Sequence, residues 1–140
     1  YLEIARIRCE LEGLAAACAA ELADAKDIAR LKKIIARDEA AAKSGRWGKA
    51  VEYNQQFHFA LAEIADMPVL LGILSRLWLR MGTLIAGYYA RNKVELVRNH
   101  RNIVAACEAR DPAAAAAAMR ADIEDAREGM LAYIETFTTE

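Results

Sequence analysis

Almost from end to end, apolar side chains in this chain recur every three or four residues, and nowhere do they alternate with polar ones at the two-residue period of a strand. That one periodicity restricts the chain to amphipathic helices stacked on one another. Ile4, Ile7, Leu11, Leu14, Cys18 and Leu22 predict the stripe of a first helix, with alanine-rich intervals adding helix propensity. Asp24 or Asp27 caps a second helix that carries Ile28, Leu31, Ile34 and Ile35 and stops near Ser44-Gly45. A third is expected from about Trp47 to Asp66. Met67-Pro68 then interrupts, proline being acceptable in the first turn of a fourth helix carrying Leu70, Leu74, Leu77, Met81, Leu84 and Tyr88. A break is expected over Tyr89 to Lys93. The fifth helix, near Val94 to Ala109, places Val97, His100, Val104 and Cys107 along one side, and the sixth runs from Pro112 to about Phe137. Ala113 to Ala118 reads as a close-packing surface at its start. Short connections imply antiparallel neighbours, so the expectation is an all-α, antiparallel bundle of about six helices formed by residues 1–140.

A chain of 140 residues with 56% hydrophobic content can bury a substantial single core. Charges are expected to interrupt every apolar run before the roughly 18 to 20 residues a bilayer requires, so no membrane is expected as a partner. With a net charge of -1 and dispersed Lys and Arg, this chain alone offers no grip on DNA. Cys9, Cys18 and Cys107 are odd in number and far apart, with no CxxC, which argues against a disulfide framework or zinc ribbon and for a reducing cytoplasm. The chain starts at Tyr1 without an initiator methionine and is at once helical in pattern, as expected of a fragment of something longer.

Polar residues placed on the stripes point to a site. His100 and Asp122 each lie eleven residues from Asp111, the first residue of the Asp111-Pro112 turn. At about 1.5 Å of rise per residue, they stand at the same height across a helical hairpin. Asn54 and His58 are four apart and share a helix face. Four potential metal ligands therefore project from three helices, each on a stripe where an unpartnered polar group is costly. Arg80, twelve residues beyond Pro68, comes level with the Asn54 to His58 turn when the third and fourth helices fold antiparallel, and could hold an anion by a guanidinium fork. Tyr53, Trp78, Tyr88 and Tyr89 are candidates for a cavity wall or for core. Blander assignments exist for each ligand. A lone His on an apolar face is commonly a hydrogen-bonded core residue, Asn54 could cap a kink, and Asp122 could pair with an arginine, one from the first helix included. That pairing would leave a polar site binding an effector without metal. An enzyme is not expected, because the chain has no Glu-x-x-His pairs, no His-Glu-x-x-His and no nucleophile beside a His. A structural dimerisation module and a helical-bundle metalloenzyme are the alternatives.

Arg8-Cys9-Glu10-Leu11-Glu12 before an alanine-rich helix, Asn54-x-x-Phe57-His58 with Ala60-Leu61-Ala62, Pro68-Val69-Leu70, His100-x-x-Ile103 and Asp111-x-x-x-Ala115 occur in an order that closely resembles the ligand-sensing C-terminal (FCD) domain of the FadR subfamily of GntR regulators. The resemblance implies an antiparallel helical bundle that binds a small effector, often a carboxylate, and commonly a divalent metal. It also implies homodimerisation, and an N-terminal winged helix-turn-helix, outside this chain, that reads operator DNA. The family's metal pattern is Asp or Asn, His four residues on, another His, and a final His one hairpin later. Asn54, His58 and His100 match it; Asp122 stands where the final His is usual. The substitution makes the ligand set harder, in keeping with zinc, nickel or manganese rather than copper. Arg8 matches the family's arginine and is the first candidate, with Arg80, to hold a small organic acid effector.

Overall fold

The computed structural model describes residues 1–93 and 97–138. Seven helices follow in order among them: α1 (Leu2–Leu22), α2 (Ala25–Lys43), α3 (Trp47–Ile64), α4 (Pro68–Asn92), α5 (Arg98–Glu108), α6 (Pro112–Asp125) and α7 (Arg127–Thr138). No strand occurs among the described residues. Helices α1, α3, α5 and α6 enclose the main core around Phe57, Leu61, Ile103 and Met119, with α2 closing one side. A second cluster, Val51, Leu74, Trp78, Met81, Ile85, Tyr88 and Met130, fastens α4 and α7 to the other.

Helix ends follow local chemistry. Asp24 caps α2 by accepting from the Asp27 amide at 2.8 Å, while the Asp27 side chain accepts from the Asp24 amide at 3.0 Å, a reciprocal box that satisfies two orphan donors. Asp111 caps α6 by accepting from the Ala114 amide at 3.0 Å, with Pro112 in the first turn. The preceding Arg110, in the left-handed region at φ 50°, sends its guanidinium back to the Glu21 and Ala23 carbonyls at the end of α1. The α5–α6 hairpin is thereby tied to α1.

Three expectations are corrected. The first concerns α1, whose predicted stripe is not its buried face: Ile7, Leu14 and Leu22 are 39%, 48% and 57% exposed. The helix instead buries Ala5, Arg8, Cys9, Glu12, Gly13, Ala15, Ala16, Ala19 and Ala20. Small side chains let α1 and α6 approach closely, and Ala115 and Met119 of α6 complete the seam. The second is the break expected over Tyr89 to Lys93, which begins only at the last of these residues. With no Gly or Pro to stop it, α4 continues to Asn92 and ends at Lys93 in the left-handed conformation at φ 51°. This 25-residue helix is long and apolar enough to cross a membrane by length and composition, contrary to the expectation that charges interrupt every candidate. Its Leu74, Trp78, Met81, Ile85 and Tyr88 are nevertheless buried at core spacing. The third is the single sixth helix, which is two, separated at Ala126. The start expected for the fifth helix at Val94 lies outside the described residues.

Candidate metal centre

Five helices converge on a buried polar cluster. His58 of α3 and His100 of α5 are both fully buried, and Asp122 of α6 reaches between them. The Asp122 carboxylate lies 3.3 Å from His58 Nε2 and 3.5 Å from His100 Nε2, and ligand atoms of all three side chains fall within 4.8 Å of one another. His100 Nε2 has no hydrogen-bond partner although it is buried. For ligand bonds of about 2.0–2.2 Å, two donors on one tetrahedral ion sit about 3.3–3.6 Å apart. The two separations from Asp122 are therefore those of donors that share a cation, and longer than a good hydrogen bond. Phe57, stacked on His100 with centroids 4.1 Å apart, and Trp78, 5.4 Å from His58, limit the swing of both rings.

Behind His58 stands a residue that sequence reasoning missed. Glu12 of α1 is fully buried with Oε1 2.5 Å from His58 Nδ1, while Arg8 Nε donates to its Oε2 at 2.5 Å. Burial alone would raise the Glu12 pKa, but the charges of Arg8 and His58 and their hydrogen bonds outweigh it and hold Glu12 below the usual carboxylate range. An ionised carboxylate only accepts, so Nδ1 carries the proton and Nε2 faces Asp122. Carboxylate–histidine pairing of this kind is how metal-binding imidazoles are commonly oriented. Burial also works against a charged His58, yet Glu12 and Asp122 prevail and raise it to about 9. For His100 burial wins over Asp122, so that imidazole is held neutral and available. Asp122 lies well below the ordinary range because the two histidines overcome its burial.

Asn54, one turn before His58, is buried and lines a small cavity with Tyr1, Arg8, His58, Trp78, Tyr89 and Asp122. The cavity holds about 30 Å³, room for little more than water. A wider groove of about 790 Å³ runs between the start of α1 and the α6–α7 junction, but it includes none of the cluster's residues. Arg8 is in the cavity wall, its guanidinium 4.7 Å above the Trp78 ring, and is largely committed to Glu12. Arg80 is not in the site. It is exposed on α4, two residues past Trp78, so it has the right height and the wrong side of the helix: about 200° of rotation separates it from the residue that faces His58. Of the other aromatic candidates, Trp78 and Tyr89 line the cavity, Tyr88 packs in the second core cluster and Tyr53 against the first.

Residues 3–125 match the model of the FCD domain family. The HTH-type transcriptional regulator McbR of Escherichia coli (strain K12) is 34% identical over 113 residues, covering 78% of this chain and 51% of that protein, so the chain spans about half the length of this relative. The solved structure of E. coli McbR/YncC superposes with a TM-score of 0.84 at 28% identity, covering 92% of this chain and 66% of that one. Streptococcus agalactiae GntR shares the fold at a TM-score of 0.76 and 21% identity, over 90% of this chain and 57% of that one.

Proposed function

Because this chain belongs to the FCD domain family, we propose that it is the effector-sensing and dimerisation part of a DNA-binding transcriptional regulator and that His58, His100 and Asp122 hold a divalent ion at its centre. The observation that carries the metal reading is the triangle of ligand atoms within 4.8 Å, with Glu12 fixing the Nδ1 edge of His58 from behind. Two imidazoles and a carboxylate suit zinc, nickel or manganese, and the Asn54 amide oxygen, in the wall of the same cavity, is the further protein ligand. Such an ion, when bound, supplies a Lewis-acidic anchor for an oxygen of a small carboxylic acid.

The chain's own residues supply the rest of the effector site. Arg8, in the cavity wall, has N–H groups not used by Glu12 with which to take the acid's charge. Trp78 and Tyr89 wall it and exclude water. An organic acid does not fit in about 30 Å³, so it enters only when a wall moves. Helix α7 is the natural one, since Met130 is its one fully buried side chain among those described. Ligand binding thus selects a different arrangement of α7 against the rest of the bundle. On the opposite side of α4, the exposed Val69 and Ile73 share a face suited to a second copy of the chain. Operator DNA is then read by a separate domain of the full regulator, in the cytoplasm, and the shift within the dimer sets how those domains are held.

Elemental analysis of protein purified without chelator tests the metal reading. The expected result is about one divalent ion per chain, lost in the His58→Ala, His100→Ala double variant. Unchanged metal content in that variant would overturn it.

A further inference from the structure

The inward stripe of α2 reads Leu31, Ile34, Ile35, Asp38 and Ala41. One member of that stripe is an acid. Asp38 is 1% exposed, and neither of its carboxylate oxygens has a hydrogen-bond partner. The helical period calls for an apolar side chain there, and a carboxyl buried without donors weakens the fold that contains it. Helix α2 packs against α3 and α5, the helices that carry His58 and His100, and Asp38 is on the face it buries there; Asp122 repels its charge and His58 attracts it. Both belong to the metal centre. His100 Nε2, like Trp78 Nε1 a further unpartnered buried polar atom here, faces Asp122 from the adjoining helix. Asp38 itself is not among the side chains whose ligand atoms gather within 4.8 Å.

Building on the metal reading above, we propose that Asp38 is an outer-sphere positioning residue of the ion site, a carboxylate that does not ligate but whose uncompensated charge favours a dication among His58, His100 and Asp122. The repulsion from Asp122 would be offset once a dication is held by His58, His100 and Asp122. What the residue costs the empty bundle it returns as affinity for the ion. Burial and the Asp122 charge push the Asp38 carboxyl up to about 7 against the pull of His58, so near neutral pH the acid is only partly ionised until a cation draws off its proton. Water screens little here, because the group is buried.

The test sets the parent beside Asp38→Asn and Asp38→Leu, with zinc affinity measured by chelator competition, metal-free melting temperature, and the visible spectrum of the cobalt(II) form. Both variants are expected to bind zinc at least about tenfold more weakly. Asp38→Leu is expected to melt higher than the parent without metal, a crossing of stability and affinity that a merely structural residue would not produce. The cobalt spectrum of Asp38→Asn is expected to match the parent's. Zinc affinity within about twofold of the parent in Asp38→Asn overturns the proposal even if Asp38→Leu fails to fold. A changed cobalt spectrum overturns it in favour of direct ligation. A parent that takes up no ion overturns the metal reading and this inference together; a parent that binds zinc with variants that bind equally well overturns this inference alone.

Discussion

Glu12 and His58, 46 residues apart in the chain, meet at 2.5 Å inside the bundle, and the contact decides which imidazole nitrogen is offered to the centre. Without Glu12 the proton could sit on either nitrogen. Replacing it by Gln is expected to weaken metal binding by about 10- to 100-fold, since an amide orients the ring less firmly. The same change leaves Arg8 buried without its counter-ion and is expected to destabilise the domain by about 3–5 kcal/mol. Chelator competition and chemical denaturation measure the two effects; affinity equal to the parent's would remove Glu12 from the site.

Asp122 is expected to be the replaceable ligand. Asp122→His should retain the ion and shift preference toward nickel or zinc, since imidazole suits those ions better than a carboxylate does. Asp122→Ala should weaken binding by at least about tenfold, on the order of 1.4 kcal/mol. Competition between nickel, zinc and manganese for each variant, read by elemental analysis, checks both.

Stability and metal affinity should move in opposite directions with pH. His58 rises from an ordinary 6.5 to about 9 on folding, so its contribution is complete below 6.5 and is lost as pH climbs to 9. Asp38, raised to about 7, likewise favours the fold below the ordinary carboxylate value and less above 7. Glu12 and Asp122 are depressed, so their contributions hold above the ordinary value and vanish in acid. Metal-free protein should therefore melt highest in mildly acidic buffer and progressively lower toward pH 9. Metal binding should strengthen over the same span, because the ion displaces the His58 proton. Calorimetric scans at stepped pH with and without zinc test this, and a metal-free melting point flat from pH 6 to 9 would contradict it.

Two glycines should respond differently to alanine. A Cβ on Gly129 would collide with the hydroxyl and ring of Tyr88, which is buried, whereas one on Gly87 would meet Tyr133, which is only partly buried and can swing aside. Alanine gains about 1 kcal/mol of helix propensity at either place. Overpacking of about 1–3 kcal/mol should exceed that gain at Gly129 and not at Gly87. Urea unfolding of Gly129→Ala and Gly87→Ala decides it, and Gly129→Ala as stable as Gly87→Ala would mean that α7 yields freely.

Arg8 and Arg80 should separate cleanly in effector binding. Arg8→Met is expected to abolish calorimetric binding of small carboxylic acids and to lower the melting temperature, since Glu12 loses its main partner. Arg80→Ala should change neither, its side chain being exposed on the far side of Trp78.

The cap at Asp24, the turn at Asp111-Pro112 and the height of His100 against Asp122 were legible because each depends on residue type at a fixed offset along one helix or hairpin. Azimuth and burial were harder. Arg80 was placed by height alone, and a helix side chain is positioned equally by rotation. The buried face of α1 was hidden because alanine and glycine offer little hydrophobic contrast, so Leu14 and Leu22 drew attention to the solvent side. Glu12, four residues from Arg8, reads as half of an ordinary surface ion pair, and Asp38, between Arg37 and Glu39, reads as part of a solvated run. Nothing local marks Ala126 as a helix break, which arises where α7 leaves α6 to pack on α4.

The alanine seam between α1 and α6 has a mechanical consequence. Long side chains between two helices absorb displacement by changing rotamer, like a compliant bearing. Ala16, Ala19, Ala20 and Ala115 have no rotamers to change, which leaves Met119 as the one flexible side chain named in the seam. A displacement of α6 at Asp122 therefore finds little slack at the alanine contacts and is passed on to α1, as one gear tooth moves its neighbour, which couples the centre of the domain to its first helix.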